Sequence, residues 1–122
     1  MNAAISKARG SLTEFWKLFE HPEHGETDFC LKVMIRDGTE IEHFWVRNLE
    51  NKAGKIFGTV NNDPDIVHSV KLGDRIQVPE ADISDWLYMQ SGKMHGNYTL
   101  RVLFKQMSAA EVLKNKQMLA DP

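Results

Sequence analysis

The chain has one cysteine, Cys30, and four prolines among its 122 residues. A lone thiol cannot close an intrachain disulfide, so the fold must rest on a packed core, and a reducing compartment is the simplest setting. Neither charge sign is in large excess: fifteen Lys and Arg stand against seventeen Asp and Glu, for a formal net charge of −2. That balance lacks the basic footprint of a dedicated nucleic-acid binder. No apolar run approaches the roughly 18 residues needed to cross a bilayer. Lys7 and Arg9 precede an apolar stretch, but Glu14, Lys17 and Glu20 interrupt it, so no signal-peptide h-region is expected. The sequon Asn97-Tyr98-Thr99 carries no weight without secretion. The expected location is the cytoplasm, with no membrane association.

What is present is enough for a folded core. The chain is 42% hydrophobic and 26% charged, ordinary values for a globular domain of one hundred residues or so. Ile5, Ala8, Leu12, Phe15, Trp16 and Phe19 recur at helical spacing, which predicts an N-terminal amphipathic helix, continuous or in two pieces around Gly10. Ser11 and Glu14 have capping-box spacing. His21-Pro22-Glu23-His24-Gly25-Glu26 ends this helical region. Residues 29–36 and 41–49 read as strands around a type I′ turn at Asp37-Gly38. That turn would set Leu31 opposite Phe44 and Phe29 opposite Val46 on one apolar face. Cys30, Lys32, Met34, Ile41, His43 and Trp45 would share the other, with the N-terminal helix as its expected cover.

Residues 55–61, 75–78 and 85–90 supply further strands, making about five in an antiparallel sheet. Gly92 to Gly96, around Lys93-Met94-His95, reads as a turn. Residues 98–106 fit a strand by the alternation of Tyr98, Leu100, Val102 and Phe104, and a helix by the spacing of Leu100, Leu103 and Met107. The continuation through Gln106-Met107 favours the helix, with Asn97 as its N-cap. Ser108 and Glu111 form a capping box that opens a terminal helix through Val112, Leu113 and Leu119, fraying toward Pro122. The expected class is α+β.

Catalytic patterns are scarce. His21 and His24 are separated by Pro22, and His43, His68 and His95 could meet only through the fold, so no zinc-site spacing is present. Asp63, Asp65, Asp74, Asp82 and Asp85 all have turn or backbone-capping explanations. There is no Gly-x-Ser-x-Gly elbow and no P-loop, and Cys30 lies inside a strand. No cofactor, metal or catalytic residue is expected. A small-molecule or metal-assisted enzyme using Asp63, Asp85, His43 and Arg101 is the alternative. Binding is the better-supported role, because aromatic residues and arginine dominate interface hot spots. The candidates are His43, Trp45, Arg47, Asn61, Asp63, Trp86, Tyr98 and Arg101, with His43, Trp45 and Arg47 as the expected exposed patch. Aromatic residues interleaved with Arg and Lys leave RNA stacking as a third option, against the slight net acidity. Asn61-Asn62-Asp63-Pro64 suits either a recognition loop or a tight turn.

Several motifs recur in one order: Glu42-His43-Phe44-Trp45-Val46, Gly58 to Asn61-Asn62-Asp63-Pro64, and Leu72-Gly73-Asp74. They continue through Asp82-Ile83-Ser84-Asp85-Trp86-Leu87-Tyr88 and Gly92-Lys93-Met94 to Gly96-Asn97-Tyr98-Thr99-Leu100-Arg101-Val102. Together they resemble the YegJ-like bacterial family, domain of unknown function 2314, over residues 4–107, with 108–122 as a helical tail of the same single domain. Asn97 departs from the second glycine that members often carry there. The resemblance implies a bacterial α+β fold and assigns no catalytic residue. Similar small domains occur among the immunity proteins of toxin systems, which implies a protein partner.

Overall fold

Two long strands, Thr27–Asp37 (β1) and Glu40–Lys52 (β2), meet at a two-residue turn, Gly38-Thr39, with Asp37 opposite Glu40. Only Gly38 has positive φ, +61°, as at the first central position of a type II′ turn. The expected Asp37-Gly38 turn is therefore displaced by one residue. A β-branched threonine resists the left-handed region that a type I′ turn requires at its second position. Leu31 consequently faces Val46 and Val33 faces Phe44. The register moves by two residues, which preserves the side-chain parity. Leu31, Val33, Phe44 and Val46 all lie buried on one face, as expected.

The computed structural model describes residues 2–120. It shows an α+β chain with a six-stranded antiparallel sheet, a pair of helices at the N-terminus and helices toward the C-terminus. Contacts divide the chain into two units: Cys30–Ser84, and the residues up to Phe29 together with those from Asp85 onward.

In the first unit β1, β2, Lys55–Val60 (β3) and Arg75–Val78 (β4) run in the order β4-β3-β2-β1. Ala53-Gly54, both at positive φ, turn β2 into β3. A bulge between Arg47 and Glu50 shifts that ladder, with Asn48 at φ +51°. Arg75 spans the bulge, donating to the Asn48 carbonyl and to Thr59 Oγ1 and pairing with Glu50. Phe44, Val60 and Val67 form one cluster of the core, with Ile35, Val70 and Ile76 against them. Gly58 is required by this packing, since a Cβ there would lie 2.1 Å from Val46 Cγ1.

In the second unit the first helical region is two helices, Asn2–Gly10 (α1) and Leu12–Glu20 (α2). Ser11 does not cap α2 with its side chain. Its Oγ donates back to the carbonyls of Lys7 and Ala8 and accepts the indole N–H of Trp86, so a tertiary partner displaces the local capping box. Phe15 packs at 5.2–5.6 Å against Trp16, Phe29 and Trp86. Ile83–Gln90 (β5) returns as Lys93–Gly96 (β6) through Ser91-Gly92, both at positive φ. The expected turn over 92–96 is thus a sixth strand, and the turn itself lies one residue earlier.

Residues 98–106 are helical, as Tyr98–Val102 (α3) followed by the 3-10 turn Leu103–Gln106. Asn97 is left-handed (φ +53°) and makes no side-chain cap. Its amide instead lies 3.3 Å from Met94 Sδ, and Asp85 takes over the capping. Asn tolerates the left-handed region better than most residues, which suits it to this position. Ser108 does cap Ala109–Met118 (α4), accepting the Glu111 N–H at 3.2 Å. No residue within α4 is buried and Leu113 is exposed, so its anchor lies just beyond. Leu119 is buried and bridges Met94, and the Ala120 N–H donates to the Met94 carbonyl. The expected fraying at Pro122 lies outside the described residues.

Candidate functional site

The face of β1 and β2 that turns away from the Phe44 core carries Lys32, Met34, His43, Trp45 and Arg47. Strand alternation places them there, and the register sets Lys32 opposite Trp45 and Met34 opposite His43. His43 and Arg47 are exposed, while Trp45 is half-buried. The Lys32 ammonium lies 5.6 Å from the Trp45 ring centroid, a cation–π distance that shields part of the indole. Ile41 at the strand's start is 47% exposed. The second face is therefore partly open to water, and its own lysine stem and ammonium supply some of the cover its apolar content requires.

His43 Nδ1 and the Ser84 hydroxyl are 3.1 Å apart, and Ser84 Oγ also donates to the Lys32 carbonyl at 3.4 Å. Partial burial of the ring, and then the Lys32 charge, push the His43 pKa below its ordinary 6.5. At neutral pH His43 is accordingly an uncharged hydrogen-bonding group, and Lys32 and Arg47 carry the positive charge of the face.

The loop over residues 61–74 is long for a segment without secondary structure, a length associated with binding loops and lids. It is bound to β2 and β1 by backbone N–H groups. The Asn61 N–H donates to the Trp45 carbonyl at 2.9 Å, and the Trp45 N–H donates to Asn62 Oδ1 at 2.7 Å. The Glu42 carboxylate accepts the N–H groups of Asp65, Ile66 and Val67 at 2.8–3.1 Å. His68 N–H donates to Asp37 Oδ2 at 2.7 Å, and Lys71 N–H to Asp74 Oδ2 at 3.0 Å. The N–H groups of Asp65, Ile66 and Val67, that of Asp65 foremost, hold the Glu42 pKa below the usual 4.5. Val67 enters the core, whereas Ile66 and Leu72 stay about half exposed. The Asn62 side chain thus has a structural role, and Asn61 and Asp63 have exposed side chains beside it.

The remaining candidates lie in the other unit. Trp86 is 7% exposed, and its indole N–H donates to the Ala8 carbonyl and Ser11 Oγ. It stacks on Tyr88 at 5.7 Å with an interplanar angle of 5°, and Tyr88 stacks on His95 at 4.8 Å. Trp86 is therefore a core residue and not a docking anchor, a correction to its expected role. Burial, followed by the charge of Glu26, pushes the Tyr88 pKa above 10.0. Gly96 is also forced by Trp86: a Cβ would lie 2.4 Å from the Trp86 carbonyl, and φ is +81°. Tyr98 and Arg101 line one groove with Ala3, Ala4, Lys7 and Val102.

Asp85 is fully buried and its carboxylate is saturated. Oδ1 accepts the N–H groups of Trp86 (2.9 Å) and Tyr98 (3.2 Å), while Oδ2 accepts the N–H (2.9 Å) and hydroxyl (2.7 Å) of Thr99. Bonding of Asp85 to backbone N–H groups was legible as a local possibility, but its remote partners were not. A carboxylate so enclosed has no lone pair turned toward a substrate, which removes it from any catalytic set. Asp82 instead pairs with Arg36 at 3.2 Å. Among the described residues no three His, Cys, Asp or Glu side chains come together in a way that could hold a metal ion.

The partners of Glu42, Asn62 and Ser84 are remote in the chain and left no local signal. Alternation alone places Lys32 on the Trp45 face, as expected.

The combination of these elements agrees with a match to one family over residues 1–119, described as an uncharacterised protein conserved in bacteria, DUF2314. The chain belongs to this family. The match runs past Met107 and takes in α4. Uncharacterised protein YegJ of Escherichia coli K12 is 33% identical over 100 residues, covering 82% of this chain and 64% of YegJ. A putative ankyrin repeat protein of Neisseria meningitidis serogroup B is 31% identical over 119 residues, covering 91% of this chain and 47% of that protein. The chain thus spans less than two thirds of either relative. No solved structure matches it. No described helix is long and apolar enough to cross a membrane.

Proposed function

We propose that this chain is a non-enzymatic, cytoplasmic protein-binding module that docks through the Trp45 face. The observation that carries the reading is the half-buried Trp45 indole on a strand whose opposite face is core, with exposed Arg47 and His43 on either side of it along β2. A rigid strand presents these side chains with little further ordering on binding, and Trp and Arg are the commonest hot-spot residues. The relative named a putative ankyrin repeat protein is consistent with this role, since stacked repeats present extended binding surfaces. The association of similar domains with immunity proteins makes a toxin the first partner class to test.

The experiment is affinity purification of the tagged chain from its native cells, with the bound protein then titrated against variants. Trp45→Ala and Arg47→Ala should each weaken binding by about thirtyfold, a hot-spot loss of roughly 2 kcal/mol, with circular dichroism unchanged. Wild-type affinity in both folded variants, or no protein partner under several growth conditions, would remove this reading.

A further inference from the structure

The seventeen acidic residues are unevenly distributed. Residues 1–13 and 86–110 contain none of them, whereas Lys7, Arg9, Lys93, Arg101 and Lys105 all fall there. Helices α1 and α3 lie wholly within these two stretches and pack against each other. A groove of 290 Å³ is lined by Ala3, Ala4, Lys7, Tyr98, Arg101 and Val102. Its small alanines leave room that larger side chains would fill, and Val102 is exposed at its edge. Both cationic lining residues are positioned. The Lys7 ammonium sits 5.2 Å from the Tyr98 ring centroid, and Arg101 Nε–H donates to the Gly96 carbonyl at 3.2 Å. Tyr98 is itself fixed edge-to-face against Trp86, at 5.7 Å and 85°.

We propose that this groove docks a short acidic segment of a partner protein. An apolar side chain of that segment lodges against Ala3, Ala4 and Val102, and a neighbouring carboxylate meets Lys7. Charge complementarity identifies the occupant. In a chain of net charge −2, this groove is formed from stretches that carry basic residues and no acidic one, and the Lys7 ammonium at its lining favours an anionic group. The largely hydrocarbon lining calls for an apolar group beside the anion, which an acidic peptide containing Leu or Phe supplies. Nucleic acid fits less well. A base stacks on an open aromatic face, and the Tyr98 ring already carries Lys7 over it and Trp86 beside it. The site uses none of the Trp45-face residues, so it stands or falls independently of that surface.

The test is fluorescence anisotropy of the whole chain with three labelled peptides. One carries a Leu-Phe pair flanked by Asp and Glu, a second replaces the acids with Lys, and a third replaces Leu-Phe with Ser. The acidic-apolar peptide should bind at least tenfold more tightly than either control, and less tightly as salt rises. Lys7→Glu should weaken it at least tenfold by reversing a charge at an exposed helix position. Val102→Asp should weaken it comparably from the apolar side, and Trp45→Ala should leave it unchanged. Equal affinity for the three peptides would overturn the proposal, as would wild-type binding by both groove variants with helical signal intact. Tighter, Lys7-dependent binding of poly(U) RNA or phosphatidylglycerol vesicles would also overturn it.

Discussion

Replacing Asp85 by asparagine keeps the side chain's shape and removes one acceptor oxygen. Whichever oxygen becomes the amide nitrogen, two donors lose their partner: the N–H groups of Trp86 and Tyr98, or the N–H and hydroxyl of Thr99. Asp85 and Thr99 are buried, so water cannot readily substitute. An orphaned buried donor costs about 1–3 kcal/mol, which puts Asp85→Asn near 4 kcal/mol. A chain of this length has a total stability of about 6–18 kcal/mol, so the variant should fold but melt roughly 15 °C lower. Urea denaturation should show a lowered midpoint with an unchanged slope. Amide hydrogen exchange should accelerate first at Tyr98 and Thr99, because α3 loses its N-terminal anchor. Thr99→Val removes the hydroxyl donor alone, and combined with Asp85→Asn it should destabilise by less than the sum. An Asp85→Asn variant within 1 kcal/mol of the wild type would refute the assignment of this carboxylate as the cap of α3.

Two further outcomes follow from packing and titration. Gly58→Ala should destabilise by about 3 kcal/mol, the upper range for overpacking, and Val46→Ala should recover part of that loss in the double variant as measured by chemical denaturation. The Glu42 pKa is lowered on folding, so its stabilisation is fully present above 4.5 and is lost as pH falls through the folded value. The amides of Asp65, Ile66 and Val67 should therefore lose exchange protection in acid, and in Glu42→Ala already at pH 7. Protection unchanged in Glu42→Ala would show that the loop is held without Glu42, by Val67, Asn62 and the Asn61 and His68 backbone bonds.

Local signals read well wherever the partner was close in sequence. The Ser108–Glu111 box lies within one helical turn, and its capping bond forms. The β1–β2 faces follow from alternation, and they survived a displaced turn because the resulting two-residue register shift preserves parity. The helix over 98–106 outcompeted an equally alternating strand, and Asp85, thirteen residues from Tyr98, supplies the cap that Asn97 does not. Ser11 illustrates the opposite outcome. Its capping-box spacing was intact, yet the Trp86 indole, 75 residues away, took the hydroxyl.

The sequence by itself determined the α+β class, the helix pair, most strand positions and family membership, because propensity, periodicity and turn chemistry act over a few residues. It also marked His43, Trp45 and Arg47 as neighbours on one strand face. Only the tertiary structure decided that Trp86 is core, that Glu42 and Asn62 hold the 61–74 loop, and that Lys7 meets Tyr98. Each of these depends on residues 17 to 91 positions apart, and such pairings are chosen by burial and by buried donors seeking acceptors, which leave no local trace in the chain.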